Sequence, residues 1–269
     1  MPKKESETRQ LSRKGGVQLE TNVIYNEDCL SGMQRIDDKS IDMILCDLPY
    51  GTTNCSWDTI IPFEPLWNQY ERIIKDNGAI VLTGSQPFTS KLISSNLSLF
   101  RYEWIWDKKN PTNFPLARKQ PLKYHENILV FYKQQPVYNP QKLFGMPNHK
   151  QGNLKSEITT EVFNKTKRTN DDLSGEKFPR SIIEISKHSS QLGLHPTQKP
   201  VELFEYLIKT YTNKGAVVLD NCMGSGTTAV ACLNTDRKYI GFETNKEYFV
   251  KSLERIKSNV TQLDLFGCC

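Results

Sequence analysis

The sequence predicts an α/β chain built on a largely parallel sheet, and three observations carry that prediction. Short apolar runs rich in Ile, Val and Leu alternate with segments whose apolar residues recur at helical spacing. One such run, Ile41 to Cys46, ends in Asp47-Leu48-Pro49-Tyr50-Gly51. Another, Ala216 to Leu219, feeds Asp220-Asn221-Cys222-Met223-Gly224-Ser225-Gly226-Thr227-Thr228 and then an apolar helix. Alternation of this kind favours parallel strands joined by right-handed crossovers.

In chain order, Val23 to Tyr25 is a short strand that leads through Asp28-Cys29-Leu30 into a short helix. Ile41 to Cys46 is the buried strand that delivers Asp47. Phe63 to Lys75 places Leu66, Tyr70, Ile73 and Ile74 in helical phase, and Asn77-Gly78 is expected to stop that helix. Ala79 to Leu82 is the next strand, and Pro87 to Ser95 a helix with Pro87 in its first turn. Arg101 to Trp106 and Ile128 to Tyr132 read as two further strands. From Gln134 to about His188 the chain turns polar, with Gly, Pro, Lys and Arg, and only Ser181 to Ile185 has strand character. That stretch is too long for an ordinary loop in a compact domain and reads as an inserted recognition module. Regular structure returns after His195-Pro196, with a helix over Val201 to Tyr211 and a strand over Ala216 to Leu219. A helix from Thr227 to Leu233, a strand from Tyr239 to Phe242 and a helix from Glu247 to Ile256 complete it.

The 269 residues, 37% of them hydrophobic, suffice for the core of one large domain with an insertion. No apolar run approaches the roughly 20 residues of a membrane span. The segment Met1 to Gly16, with five basic residues, has no apolar stretch for secretion, so a cytoplasmic location is expected. The seven cysteines form no Cys-x-x-Cys pair and have no His at zinc-ligand spacing, which predicts no metal site and fits a reducing compartment. Cys46, Cys222 and Cys232 lie in apolar runs and read as small buried hydrophobes. A net charge of +5 is too mild to indicate nucleic acid by its sum; its distribution has to decide.

Glycines at 224 and 226 let the backbone approach a ligand closely. Glu243 ends the next strand, about 20 residues on, where a carboxylate can accept both hydroxyls of a ribose. A lone Gly-x-Gly is also an ordinary tight turn; Asp220 before it and Glu243 after it move the reading to a nucleoside ligand. No Gly-x-x-x-x-Gly-Lys-Ser/Thr run exists, which argues against a P-loop ATPase. Asp47 to Tyr50, taken alone, is an ordinary strand exit; beside a nucleoside loop it suits a ring with an exocyclic amine. The lone pair of such an amine is delocalised into the ring, so it is a poor nucleophile. Asp47 and the Leu48 carbonyl could accept its two N–H hydrogens and favour a tetrahedral nitrogen, while Tyr50 stacks on the extruded base. Placement and charge stabilisation then suffice without a covalent intermediate.

These motifs resemble those of S-adenosylmethionine-dependent DNA amino-methyltransferases (the N6-adenine/N4-cytosine family), in the class whose catalytic motif precedes the recognition region and the cofactor motif. Asp47-Leu48-Pro49-Tyr50 matches the family's Asp-Pro-Pro-Tyr, and Asp220 to Thr228 its Asp-Pro-Phe-x-Gly-Ser-Gly-Thr-Thr. Asp28-Cys29-Leu30, His125-Glu126-Asn127-Ile128 and the specific run His195-Pro196-Thr197-Gln198-Lys199-Pro200 belong to the same resemblance. It covers about Val23 to Tyr132 and Leu194 to Ile256. Leu48 stands where the family has its first proline, but the role there is a backbone carbonyl; Asn221 and Cys222 replace Pro and Phe.

The resemblance implies a Rossmann-like methyltransferase fold, with a mostly parallel seven-stranded sheet, helices on both faces and a circularly permuted motif order. It divides the chain into a flexible arm (1–20), a catalytic part (21–133), a target-recognition insertion (134–190), a cofactor-binding part (191–260) and a tail (261–269). It implies a catalytic role for Asp47, Leu48, Pro49 and Tyr50. It assigns S-adenosylmethionine to Asp28, near the adenine, to His195 and Lys199, in a segment closing over the methionine, and to Asp220, Gly224, Gly226, Thr228 and Glu243. Similar enzymes are often homodimers. No Pro-Cys dipeptide exists, which argues against the thiolate addition used to methylate cytosine C5.

Double-stranded DNA is the expected partner. Lys108, Lys109, Arg118, Lys119 and Lys123 cluster among Trp104, Trp106, Phe114 and Tyr124, and are candidates for phosphate contacts; Trp104 reads better as core. Lys165, Lys167, Arg168 and Arg180 are candidates in the insertion for positioning or base reading. Trp57 reads equally as a wedge into the duplex and as a hydrophobic anchor. Gln262-Leu263-Asp264-Leu265-Phe266 resembles the short extended peptide by which bacterial proteins dock on the replication sliding clamp; folding back onto the domain is the competing reading. Aspartate at position 47 favours adenine N6 over cytosine N4, where serine is more usual. RNA or protein-glutamine methylation fits less well, because those enzymes usually place the glycine motif first. A DNA-binding protein with a vestigial cofactor site is disfavoured by intact Asp47, Tyr50, Asp220 and Glu243.

Overall fold

Residues 19–53, 55, 58–145, 175–186 and 198–266 are described by a computed structural model of the chain. In order the elements are β1 (Val23–Tyr25), α1 (Cys29–Met33), β2 (Ile41–Cys46), α2 (Phe63–Ile73), β3 (Ile74–Gly84), α3 (Phe88–Ser95), β4 (Phe100–Thr112) and β5 (Lys123–Phe131). The two-residue strands β6 (Leu143–Phe144) and β7 (Glu176–Lys177) pair with each other apart from the main sheet. Then come β8 (Ile182–Glu184), α4 (Val201–Tyr211), β9 (Val217–Asp220), α5 (Thr227–Asn234), β10 (Lys238–Phe242) and α6 (Lys246–Phe266).

The main sheet runs β1-β10-β9-β2-β3-β5-β4-β8, and only β5 opposes the common direction. Its centre is apolar on both faces because helices cover both. In β2, Ile44 and Cys46 pack on the side of α1, α2 and α3, while Met43 and Leu45 pack on the side of α4 and α5. Successive residues of a strand point to opposite faces, so one six-residue run serves two cores.

The sheet has eight strands where seven were expected. The additional one, β8, comes from the polar insertion and pairs in parallel with β4 through Ile105↔Ile182 and Asp107↔Glu184. Its Ile183 is buried, so the insertion is stitched into the sheet edge. Asn77-Gly78 also departs from expectation: α2 ends at Ile73, and these residues lie inside β3. A Cβ on Gly78 would sit 2.7 Å from Ile74 Cδ1 and 2.9 Å from the Asp42 carbonyl, at the register shift between Ile41 and Met43. This glycine serves an irregularity in a strand, where backbones approach closely, and does not cap a helix. β4 and β5 are likewise longer than expected and form one hairpin, closed through Asn113 and a 3-10 turn at Phe114–Leu116.

At the middle of the sheet β9 and β2 are parallel neighbours, yet β9 continues to β10 on one side and β2 to β3 on the other. A crevice opens at the carboxyl ends of strands where the winding reverses in this way. Asp47 and the glycine loop leave the sheet there.

Candidate active site

The pairing Met43↔Val218 and Ile44↔Leu219 brings the two motif loops out side by side. They share one cavity of about 390 Å³, whose lining includes Asp28, Asp47, Tyr50, Asp58, Lys199 and Glu243. That size is within the range of sites for nucleoside-sized ligands.

On the β2 side, the Tyr50 hydroxyl donates to Asp47 Oδ1 (2.9 Å), and Thr83 at the end of β3 hydrogen-bonds the same oxygen. The Tyr50 ring stacks on Phe88 with centroids 5.0 Å apart. Burial, and then the Asp47 charge, push the Tyr50 hydroxyl well above its ordinary pKa, so it stays a donor. The Leu48 side chain is buried in the core beneath the loop, an anchor where the family has a rigid proline.

A residue that sequence reasoning missed fixes the rest of this loop. The buried Asp58 carboxylate accepts three successive backbone N–H groups, from Gly51 (2.8 Å), Thr52 (2.9 Å) and Thr53 (2.7 Å). Burial raises its pKa, but hydrogen bonds from Thr53 and these amides outweigh it and hold the carboxyl below its usual range. No local spacing rule marks an aspartate seven residues beyond Gly51; the glycine, in the left-handed region at φ +64°, was the only cue.

Asp47 Oδ2 receives the Lys199 ammonium at 2.6 Å. Lys199 Nζ also lies 3.2 Å from Glu126 Oε2 and 5.5 Å from the Tyr50 ring centroid. Burial lowers the Lys199 pKa, but the carboxylates of Asp47 and Glu126 outweigh it and keep the group an ammonium. Burial likewise works against the Glu126 carboxylate, and Lys199 and Lys108 reverse the effect. Lys199 was expected beside the methionine of the cofactor; here its ammonium reaches Asp47, while its backbone and Gln198 dock on the glycine loop through Thr227 and Ser225.

On the β9 side, Asp220 holds its own loop. One oxygen accepts the Thr228 hydroxyl and the other the Cys222 N–H (3.0 Å). Gly226 is in the left-handed region at φ +82°, and a Cβ there would sit 3.1 Å from Ser252 Cβ of α6. Arg255 of α6 donates to the Ser225 carbonyl and the Thr227 hydroxyl (both 3.1 Å), a second support that the sequence did not reveal. Glu243 accepts from Gly224 N (2.8 Å) and Asn245 N (2.7 Å), which leaves further lone pairs on both oxygens. Asp28 caps α1 by accepting from Ser31 N (3.0 Å). Asn221, which replaces the family proline, is buried and its amide oxygen accepts the Tyr70 hydroxyl.

Burial pushes the Asp220 carboxyl up to about 6. A carboxyl raised in the folded state favours folding below its unfolded pKa, and that advantage is lost as pH rises through the folded value. Two pKa units correspond to about 3 kcal/mol. The melting temperature of Asp220→Asn relative to the unsubstituted chain is therefore expected to rise by several degrees between pH 4 and pH 7. A difference independent of pH in paired thermal melts would contradict this.

The basic candidates do not all face outward. Lys108 is corrected: its ammonium is buried, bonded to Thr112 (3.0 Å) and Glu126 (3.4 Å), and presents no charge to a phosphate. Lys109 and Arg180 are exposed but both pair with Glu184. Arg118 and Lys119 are exposed at the hairpin tip, with Lys123 half-buried beside them. His195, Trp57, Lys165, Lys167 and Arg168 lie outside the described residues. The backbone of 262–266 continues α6; its side chains also lie outside the description. Trp104 is core, its indole donating to the Tyr211 hydroxyl.

The sequence profile of the DNA methylase family matches residues 41–254, which takes in both loops and the segment between them. The chain belongs to this family of N6/N4 methyltransferases. The methylase is 28% identical over 261 residues to the type II methyltransferase M2.MboI of Moraxella bovis, covering 86% of each chain. It is 25% identical over 252 residues to the DNA adenine methyltransferase YhdJ of Escherichia coli K12, covering 88% of this chain and 83% of that one. Among solved structures, the M1.HpyAVI–SAM complex superposes with a TM-score of 0.60 at 26% identity, over 87% of this chain and 98% of that one. The cytosine-N4-specific PvuII DNA methyltransferase has the same fold, with a TM-score of 0.63 at 17% identity, over 91% of this chain and 93% of that one.

The methylase uses S-adenosylmethionine, whose sulfonium supplies an electrophilic methyl group. The residues present fit it: a Cβ on Gly224 would meet nothing nearer than the Cys222 carbonyl at 3.9 Å, so the loop leaves open space above it, and Glu243 borders the same cavity. No helix among the described residues is long and apolar enough to cross a membrane.

Proposed function

We propose that this methylase modifies adenine N6 in double-stranded DNA, at a short specific sequence, by extruding the base into the cavity and transferring the methyl group directly. The observation that carries this reading is an aspartate, Asp47, held by Tyr50 and Thr83 at the cavity that the glycine loop also lines. An exocyclic amine donates one hydrogen to Asp47 and the other to the Leu48 carbonyl, which draws its lone pair out of the ring. That pair forms the N–C bond as the C–S bond breaks and its electrons stay on sulfur. The nitrogen then sheds one proton, for which Asp47 is the nearest charged acceptor. Tyr50 supplies a flat face for the base, and the buried surroundings strengthen each of these contacts.

YhdJ bears adenine in its name and PvuII cytosine N4, so similarity leaves both amines in play; Asp47 favours adenine. Digesting methylated genomic DNA to nucleosides and weighing the product tests the choice. N6-methyladenine is expected; N4-methylcytosine alone would refute it.

The β4–β5 hairpin is proposed as a backbone grip. β3 ends at Gly84↔Asn127, whereas β4 and β5 run on to Thr112↔Lys123, past the carboxyl ends where the cavity lies. Its exposed Arg118 and Lys119 suit phosphates. Replacing both by Ala is expected to weaken binding equally for all sequences and to reduce the slope of log affinity against log salt by about two. An unchanged slope in a salt titration would remove them from the interface. The segment 134–190, anchored by β8, is proposed as the part that reads the sequence.

A further inference from the structure

The Lys199 ammonium occupies the position that the chemistry assigns to the target amine. It is a nitrogen donor 2.6 Å from Asp47 Oδ2, lying over the Tyr50 ring at 5.5 Å. A flipped base needs the same carboxylate oxygen and the same aromatic face. A base stacked on Tyr50 with its amine on that oxygen would have to use the space that the Lys199 ammonium fills. The ammonium also has a second carboxylate within reach. Glu126 Oε2 lies 3.2 Å away, buried, with the Lys199 ammonium as its charged neighbour. Glu126 comes from β5, next to β3 in the sheet, so this acceptor is fixed by the fold and independent of the loop that carries Asp47.

We propose that the Lys199 ammonium holds the seat of the target amine until an entering base displaces it onto Glu126, so that Lys199 and Glu126 form a paired gate on the catalytic carboxylate. The inference rests on the amine-methylation reading above but not on which base carries the amine. It has two chemical consequences. Asp47 is never left without a donor on Oδ2, since the ammonium leaves only when the amine arrives. The displacement also frees Asp47 Oδ2 to receive the proton that the methylated nitrogen sheds. Lys199 and Glu126 are positioning residues in this scheme; neither touches the transferred methyl group.

The test is a double-mutant cycle with the full chain, labelled S-adenosylmethionine at saturation and unmethylated mixed-sequence genomic DNA. Glu126→Gln is expected to lower kcat about tenfold, because the displaced ammonium loses its charged receiver. In a Lys199→Met background the same change is expected to cost at least threefold less, since only the contact with Lys108 is then lost. Equal losses in both backgrounds would overturn the proposal, as would a Lys199→Met protein that binds the cofactor and melts normally yet transfers nothing. If Lys199→Met does not fold, Lys199→Gln takes its place with the same expectations. Label recovered as N4-methylcytosine would retire the adenine assignment and leave the gate standing. Unlabelled DNA from the unsubstituted protein would overturn both.

Discussion

Asp47→Ala is expected to lower methyl transfer to duplex DNA by at least about a thousandfold, while the fold and cofactor binding persist. Removing a single preorganised partner of a developing charge costs a hundred- to a thousandfold in other enzymes, and in the proposed reaction Asp47 both orients the amine and takes its proton. The carboxylate sits at the end of β2 and outside the apolar cores, so its loss opens no cavity among them. Lys199 keeps a charged partner in Glu126 at 3.2 Å, so no buried ammonium is stranded. Cofactor affinity is expected to change by only a few-fold, because Asp220, Glu243 and the glycine loop are held by their own hydrogen bonds. Single-turnover transfer of a labelled methyl group, paired with a thermal melt, checks both halves. An Ala variant retaining a tenth of the activity would overturn the assignment of Asp47.

Asp58→Ala is expected to lower kcat about a hundredfold without touching either substrate. Three consecutive N–H groups, at Gly51, Thr52 and Thr53, lose a common acceptor, and the loop carrying Tyr50 is freed. Displacing a catalytic group by about 1 Å costs on that order. Asn at position 58 keeps one acceptor oxygen and turns its amide NH2, a donor, toward the remaining N–H groups, so it should recover only part of the loss. The stability contributed by Asp58 belongs to its charged form, because its folded pKa is depressed. That contribution is complete above the ordinary carboxylate range and lost as pH falls below it. The melting gap between Asp58→Ala and the unsubstituted chain should therefore be constant at neutral pH and close in acid. A variant with ordinary kcat would show that the loop holds itself.

Much of this was legible from the chain. Ile41 to Cys46 and Val217 to Leu219 stand out because a parallel sheet buried on both faces demands continuous apolar runs, and each ends in the acid that marks its loop. The helix Val201–Tyr211 was legible to the residue from its apolar phase. What escaped was whatever depended on distant partners. Asn77-Gly78 has the composition of a helix stop, but its conformation is set by Ile74 and Asp42 across a strand irregularity. Lys108 has the composition of a phosphate contact, but Glu126, eighteen residues away on the paired strand, takes its charge inward. Arg255 and Glu126 bond to groups brought near only by folding, and the loop closed by Asp58 follows no spacing rule of a helix or strand.

On the proposal that segment 134–190 reads the sequence, the three-residue strand β8 has a consequence for how new preferences arise. Ile182–Glu184 clips the end of the long polar insertion to the sheet, with Ile183 as its buried stud. The stretch between β5 and β8 thus has both ends moored on rigid scaffold, and its interior can be exchanged like a cartridge between chains that keep the mooring. Grafts that preserve Ile182 to Glu184 should inherit a folded catalytic frame, whereas those cut inside it leave a sheet edge unpaired and prone to self-association.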